Sequence, residues 1–241
     1  MRADPMRLLR MVSWTSMMLL PFIASAQIAP QPLPRPDAVR PDPVPPASPA
    51  APLPDEAADC LARLKRQKVR FNVTGRSERG SCSVDNTVEI EAVDTPFGLV
   101  SFPDKPVLAC DFAATLTSFV QDIAAPLARA RFSAPLSHVA TGPGYVCRNR
   151  NNQSDTKPSE HARAAAADVT MFTLGDGRQI AVHPDDGKDD AATLAFIRGL
   201  RHAACGYFTT VLGPGSNAEH GNHFHFDTAL HGRTANYRIC E

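Results

Sequence analysis

The chain has 241 residues with 25 basic and 25 acidic side chains, and 43% of its residues are hydrophobic. With no excess of positive charge it lacks the electrostatic footprint of a nucleic-acid-binding protein. Its six cysteines form no C-x-x-C pair, which argues against a thiolate zinc site or a redox dithiol.

The first segment has the pattern of an export signal. Arg2, Arg7 and Arg10 precede an apolar run, Met11 to Ile23, that ends in Ala24-Ser25-Ala26, a small-x-small cleavage pattern. That run is interrupted by Pro21 and is shorter than the roughly twenty residues a bilayer span needs. A mature chain starting at Gln27 is expected, periplasmic or secreted, with no stable membrane span. Loss of Arg2, Arg7, Arg10 and Asp4 takes 25 and 25 to 22 basic and 24 acidic residues, close to neutrality. From Gln27 to Pro54 the chain holds half of its 22 prolines. Proline fixes φ and removes a backbone donor, so this stretch reads as a polyproline-like spacer, about 80 Å long if fully extended at about 3.1 Å per residue.

The folded domain is expected over residues 55–241. Asp55 can cap a helix, Glu56 to Lys68, with Ala57, Leu61 and Leu64 at helical spacing. Val69 to Val73 alternates like a strand, and Val84 to Val93 and Phe97 to Phe102 read as a hairpin joined by Asp94-Thr95-Pro96. Ala109 to Ala130 carries Phe112, Leu116, Phe119, Ile123 and Leu127 at spacings of three and four, with Pro126 limiting its far end. Strands are expected at Leu136 to Thr141 and Gly144 to Arg148, followed by a polar loop, Asn149 to Pro158, suited to face a substrate. A strand from Ala166 to Leu174, a turn at Gly175-Asp176-Gly177 and a returning strand, Arg178 to Val182, come next. A helix fits Asp189 to Cys205, Phe208 to Leu212 is a strand, and Gly213-Pro214-Gly215 breaks it. The pattern is α+β: a small antiparallel sheet flanked by a few helices and held by disulfides. Six cysteines allow fifteen pairings, and the sequential set is the expectation because each pair closes a modest loop: Cys60 with Cys82, Cys110 with Cys147, Cys205 with Cys240.

Chemistry concentrates near the end, in Glu219-His220-Gly221-Asn222-His223-Phe224-His225-Phe226-Asp227. As a strand it puts His223 and His225 on one face and Phe224 and Phe226 on the other. Catalytic zinc takes three protein ligands and keeps one open position. This strand supplies one or two, and His161 and Asp168 are the candidates for the rest. Seven residues apart, those two converge only if a turn or helical segment lies between them.

His-x6-Asp followed by His-x-His resembles the metal signature of the group that joins lysostaphin, the D-Ala-D-Ala peptidases and the murein endopeptidases. His220-x-x-His223-x-His225 is similar to the penicillin-insensitive murein endopeptidases. More closely, Tyr145-Val146-Cys147-Arg148, Ser159-Glu160-His161, Ala203-Ala204-Cys205, Val211-Leu212-Gly213-Pro214 and His223-Phe224-His225-Phe226-Asp227 together resemble the bacterial extensin-like C-terminal domain family, over roughly Cys60 to Cys240. The resemblance implies that His161, Asp168 and His225 bind Zn2+, that His223 faces the metal-bound water as general base, and that His220 supports or shares that role. Arg148 suits a substrate carboxylate or a developing oxyanion, or else forms a structural ion pair. Where the family usually has a glycine between the first His and the Asp, this chain has Arg163 followed by four alanines, at a point where a φ > 0 turn is in question. The implied function is a monomeric zinc metallopeptidase, an endopeptidase or carboxypeptidase, acting on peptidoglycan or another cell-wall polymer. The competing reading is a wall-associated binding or structural domain that retains the fold without turnover.

Overall fold

The computed structural model describes residues 56–79, 82–183, 187–234 and 237–241; the expected signal segment, the spacer and the Asp55 cap lie outside them. The first helix, α1 (Glu56–Arg66), buries Cys60 and Leu64 and gathers Arg63, Lys65 and Arg66 in its last turn. Two long strands follow, β1 (Val69–Arg79) and β2 (Cys82–Thr95), paired antiparallel with register shifts. The hairpin expected after them is present, with β3 (Gly98–Ser101) returning along β2 and Thr95 Oγ1 donating to the Gly98 carbonyl at 2.7 Å. A short strand absent from the sequence reading, β4 (Val107–Ala109), also pairs with β2.

The long helix follows: α2 (Cys110–Phe119), a π-helical turn (Val120–Ala124) and α3 (Ala125–Phe132) run on without a break. The helix thus covers the expected span and runs on to Phe132, with Pro126 inside it rather than limiting it. The proline ring would collide with the carbonyl one turn back and proline has no N–H to give, and the wider π turn just before it makes room. The helix stops instead at Ser133, left-handed at φ 55°, whose N–H returns to the Arg129 carbonyl.

The larger sheet is completed by β5 (Leu136–Ala140), β7 (Met171–Leu174) and β8 (Gln179–Ala181), in the order β1-β2-β3-β5-β7-β8 with β4 on β2. The smaller sheet holds β6 (Ala166–Val169), β9 (Thr210–Leu212), β10 (Phe224–Asp227) and β11 (Ile239–Cys240), in the order β11-β9-β10-β6 and antiparallel except for β11. Two strands differ from expectation. The run 166–174 is cut at Thr170, which donates to Ala140 O and accepts from Val182 N, so β6 and β7 serve different sheets. Residues 144–148 form no strand, only an isolated bridge between Val107 and Gly144.

After β8, α4 (Ala191–Ala204), capped by Asp190 Oδ1 accepting from Thr193 N at 2.7 Å, lies on α3. Phe196 meets Phe132 and Phe172 edge-on. The underside of β10 is aromatic: Phe226 stacks on Phe208 at 4.6 Å and meets Phe119 of α2 at 5.5 Å. Gly213 allows this packing, because a Cβ there would lie 2.6 Å from the Phe224 ring.

All six cysteines are paired, as Cys60–Cys110, Cys82–Cys147 and Cys205–Cys240. Only the last pair is the expected one. The other two follow from packing rather than loop length, since α1 lies across the start of α2 and the segment before the candidate site lies against the start of β2. Disulfides of this number indicate an extracellular or otherwise oxidising location. No helix among the described residues is long and apolar enough to cross a membrane.

Candidate metal centre

His161 lies in a 3-10 turn, Glu160–Arg163, that opens with Ser159 Oγ accepting from the His161 N–H at 3.3 Å. The turn closes on Ala164, left-handed at φ 53° and ψ 22°. Ala164 N donates to His161 O and Ala165 N to Glu160 O, each at 3.0 Å, the paired hydrogen bonds of a Schellman ending. The positive φ that a glycine would provide is therefore required here, and an alanine adopts it. This reversal is the turn needed for His161 and Asp168 to converge. Strand pairing does the rest, because Asp168 of β6 stands directly opposite His225 of β10.

Three atoms meet as a result. His161 Nε2 is 3.2 Å from Asp168 Oδ1 and 3.3 Å from His225 Nδ1, and His225 Nδ1 is 2.9 Å from Asp168 Oδ1. A tetrahedral zinc ion with bonds of about 2.0–2.1 Å separates its ligand atoms by about 3.3 Å, so the triangle fits that coordination. Side-chain exposure rises from 4% at His161 through 12% at His225 to 29% at Asp168, leaving the group closed below and open above. Among the described residues this is the group of His, Cys, Asp and Glu that could hold a metal ion.

The hydrogen bonds around the triangle decide which nitrogens are free. His161 Nδ1 donates to the Gly144 carbonyl at 2.8 Å, which leaves Nε2 with its lone pair towards Asp168. Gly144 is left-handed at φ 74°, and a Cβ there would strike Val107 O at 2.6 Å, so the residue type fixes where that carbonyl points. His225 Nε2 donates to Asp227 Oδ2 at 3.0 Å, which turns its other nitrogen to the triangle. The His161 lone pair, a carboxylate oxygen and His225 Nδ1 then face one another, an arrangement that calls for a cation, either a proton on His225 or a metal ion. Burial disfavours the charged form of His225, but Asp168 and Asp227 outweigh it and push its pKa up to about 9. Burial likewise opposes ionisation of Asp168, and the two imidazoles beside it, His161 and His225, overcome that and hold the carboxyl well below its usual range. Arg148 Nη2 lies 4.0 Å from the other oxygen, Asp168 Oδ2.

His223 precedes β10 rather than lying in it, and His220 sits in a 3-10 turn, Ala218–His220, so the expected strand begins only at Phe224. Both imidazoles still line the cleft over the triangle, an open space of about 520 Å³ shared with Arg148. His223 Nε2 is 3.6 Å from Asp168 Oδ1, while its Nδ1 is held by Asn222 Oδ1 at 3.0 Å. His220 Nδ1 is held by Asn217 Oδ1 at 2.6 Å. Burial, more than any neighbour, lowers the pKa of both. The sequence reading gave no role to Asp227, Arg150 or Glu160, all of which line the cleft, with Arg150 Nη2 3.5 Å from the buried Glu160 carboxylate. Asp227 had a signal, since positions 223, 225 and 227 share one face of an extended chain. The Gly144 carbonyl had none, being a backbone atom brought in by the fold.

No curated protein and no solved structure matches the chain. The family model described as the extensin-like protein C-terminus matches residues 58–241, which takes in both sheets, the three disulfides and the His161/Asp168/His225 group. The chain belongs to the extensin-like protein C-terminus family.

Proposed function

We propose that the chain is an exported zinc-dependent peptidase acting on the peptide cross-links or stem peptides of peptidoglycan, in the periplasm or outside the cell. The observation that carries this reading is the convergence of His161 Nε2, Asp168 Oδ1 and His225 Nδ1 within 3.3 Å at the floor of an open cleft, beside two further imidazoles. Bound zinc supplies Lewis acidity, polarising a carbonyl and lowering the pKa of water. The chain's own residues supply proton handling and orientation. With Nδ1 occupied by Asn222, His223 presents Nε2 to the floor, and burial favours the neutral form that can accept a proton and return it to a departing amine. His220 is set the same way by Asn217 and can share the task. Arg148 and Arg150 place two guanidinium groups along the cleft, suited to the carboxylates of a stem peptide. The likeness of the histidine spacing to murein endopeptidases supports the same substrate class.

The test is digestion of purified peptidoglycan by the full chain, with products separated by mass. Zinc-dependent new amine ends are expected. A His223→Ala protein should keep its zinc and lose those products. Stoichiometric wall binding with no new amine ends would overturn the enzyme reading in favour of a non-catalytic wall-binding domain.

A further inference from the structure

Beneath the metal triangle the hydrogen bonding continues from His225 to Asp227, a residue to which the proposed reaction gives no part. Asp227 accepts from His225 Nε2 at 3.0 Å and from the Ala229 N–H at 2.9 Å. Thr210 of β9 is the cross-strand partner of Asp227 in β10. That pairing sets the Thr210 side chain beside the Asp227 carboxylate, where it favours the ionised form, and Thr210 Oγ1 hydrogen-bonds His231 Nε2 at 2.7 Å. Asp227 is itself buried at 5% exposure.

We infer that Asp227 is a positioning residue for the metal centre, locking neutral His225 as the Nε2–H tautomer so that Nδ1 keeps its lone pair for a cation. The alternative lies close at hand. A neutral His225 carrying its proton on Nδ1 would donate to Asp168 Oδ1, only 2.9 Å away, and two of the three ligands would satisfy each other. Asp227 works against that closed pair. Thr210 acts one step further out, by favouring the ionised form of Asp227.

This inference rests on the proposed metal centre, and zinc alone is the probe. Affinity is measured on the full chain by competition with a chromophoric chelator, for the wild type, Asp227→Asn and Thr210→Val. The His225 tautomer is read from proton–nitrogen NMR correlations of the metal-free, neutral side chain. Asp227→Asn should weaken zinc binding by about 10–100-fold, the usual effect of losing a partner of a metal-bound histidine. It should also move the His225 proton from Nε2 to Nδ1. A purely structural role would lower unfolding stability while leaving the tautomer and the zinc affinity of folded protein unchanged. A folded Asp227→Asn protein that keeps the Nε2–H form and binds zinc within about twofold of wild type overturns the inference. If that variant does not fold, Thr210→Val decides by the same two readouts, with a smaller fall in affinity expected. A wild-type chain that takes up no zinc removes the metal centre itself, so the two failures are told apart.

Discussion

Ala164 can be tested from both sides, because the forces acting on it nearly cancel. Its left-handed backbone costs an L-residue about 1–2 kcal/mol, and glycine would relieve that. Against the relief stand the loss of a buried methyl, about 0.8 kcal/mol at a position with 0% exposure, and the extra freedom glycine gives the unfolded chain, about 0.4–1 kcal/mol. Ala164→Gly should therefore change stability by less than about 1 kcal/mol in either direction. Valine has no such balance. It puts a β-branched side chain at positive φ and adds two methyl groups where there is no room, overpacking that costs about 1–3 kcal/mol before the added backbone strain. The loss should exceed about 3 kcal/mol, and because the turn sets His161 against Asp168, zinc affinity should fall with it. Urea denaturation and chelator competition on the two variants measure both effects. An Ala164→Val protein matching wild type in stability and zinc affinity would show that the left-handed turn is not what assembles the site.

The pH dependence of metal-free protein should follow His225. Its pKa is raised from 6.5 to about 9, so stability from its imidazolium is fully present below about pH 6.5 and is lost as pH climbs through about 9, on the order of 3 kcal/mol. His220 and His223, with lowered pKa values, are already neutral across that window; zinc affinity should rise over it, because the proton on His225 Nδ1 must leave first. Peptide mapping without reduction should recover the pairs Cys60–Cys110 and Cys82–Cys147, and removing either should cost about 2–5 kcal/mol in denaturant titration. Phe226→Ala, at 0% exposure on the Phe208 ring, should cost about 3–5 kcal/mol in the same assay, and a loss under about 1 kcal/mol would mean that the aromatic floor does not support β10.

Much of the fold was legible wherever burial follows a local period. The stripe Phe112, Leu116, Phe119 gave the long helix, and the His/Phe alternation gave β10 its two faces. Features set by tertiary partners were not legible. Pro126 reads as a helix stop from its own chemistry, and nothing local announces the π turn that accommodates it. The continuous alternation through 166–174 is real, but the change of partner at Thr170 depends on β5 and β10, distant in sequence. Cysteine pairing failed for the same reason: loop length favoured near neighbours, whereas α1 brings Cys60 to Cys110 with Cα atoms 6.1 Å apart. At the site, side chains with metal-binding chemistry could be picked out by type and spacing. Of the groups that orient them, Asp227 shares a strand face with His225 two residues away, whereas the Gly144 carbonyl that holds His161 is a backbone atom brought in by the fold and leaves no local trace.

Arg148 raises a question that charge alone can settle. In the metal-free protein Asp168 and Asp227 bring two negative charges, while protonated His225 and Arg148 bring two positive ones, so the cluster is neutral. A divalent cation replaces the proton on His225 and leaves an excess of one positive charge. That excess is Arg148's. It repels the cation, yet it makes the cleft floor attractive to an anionic substrate and to negative charge developing on a carbonyl oxygen. Removing it in Arg148→Gln should therefore tighten zinc binding severalfold while weakening capture of carboxylate-bearing peptides, both readable by titration. The sign is diagnostic. If Arg148 served mainly to hold Asp168 in place, the same substitution would free the Asp168 side chain and zinc affinity would fall instead. With the two groups 4.0 Å apart, each about 30% exposed, and Asp168 Oδ1 already held by His225, the electrostatic effect should win.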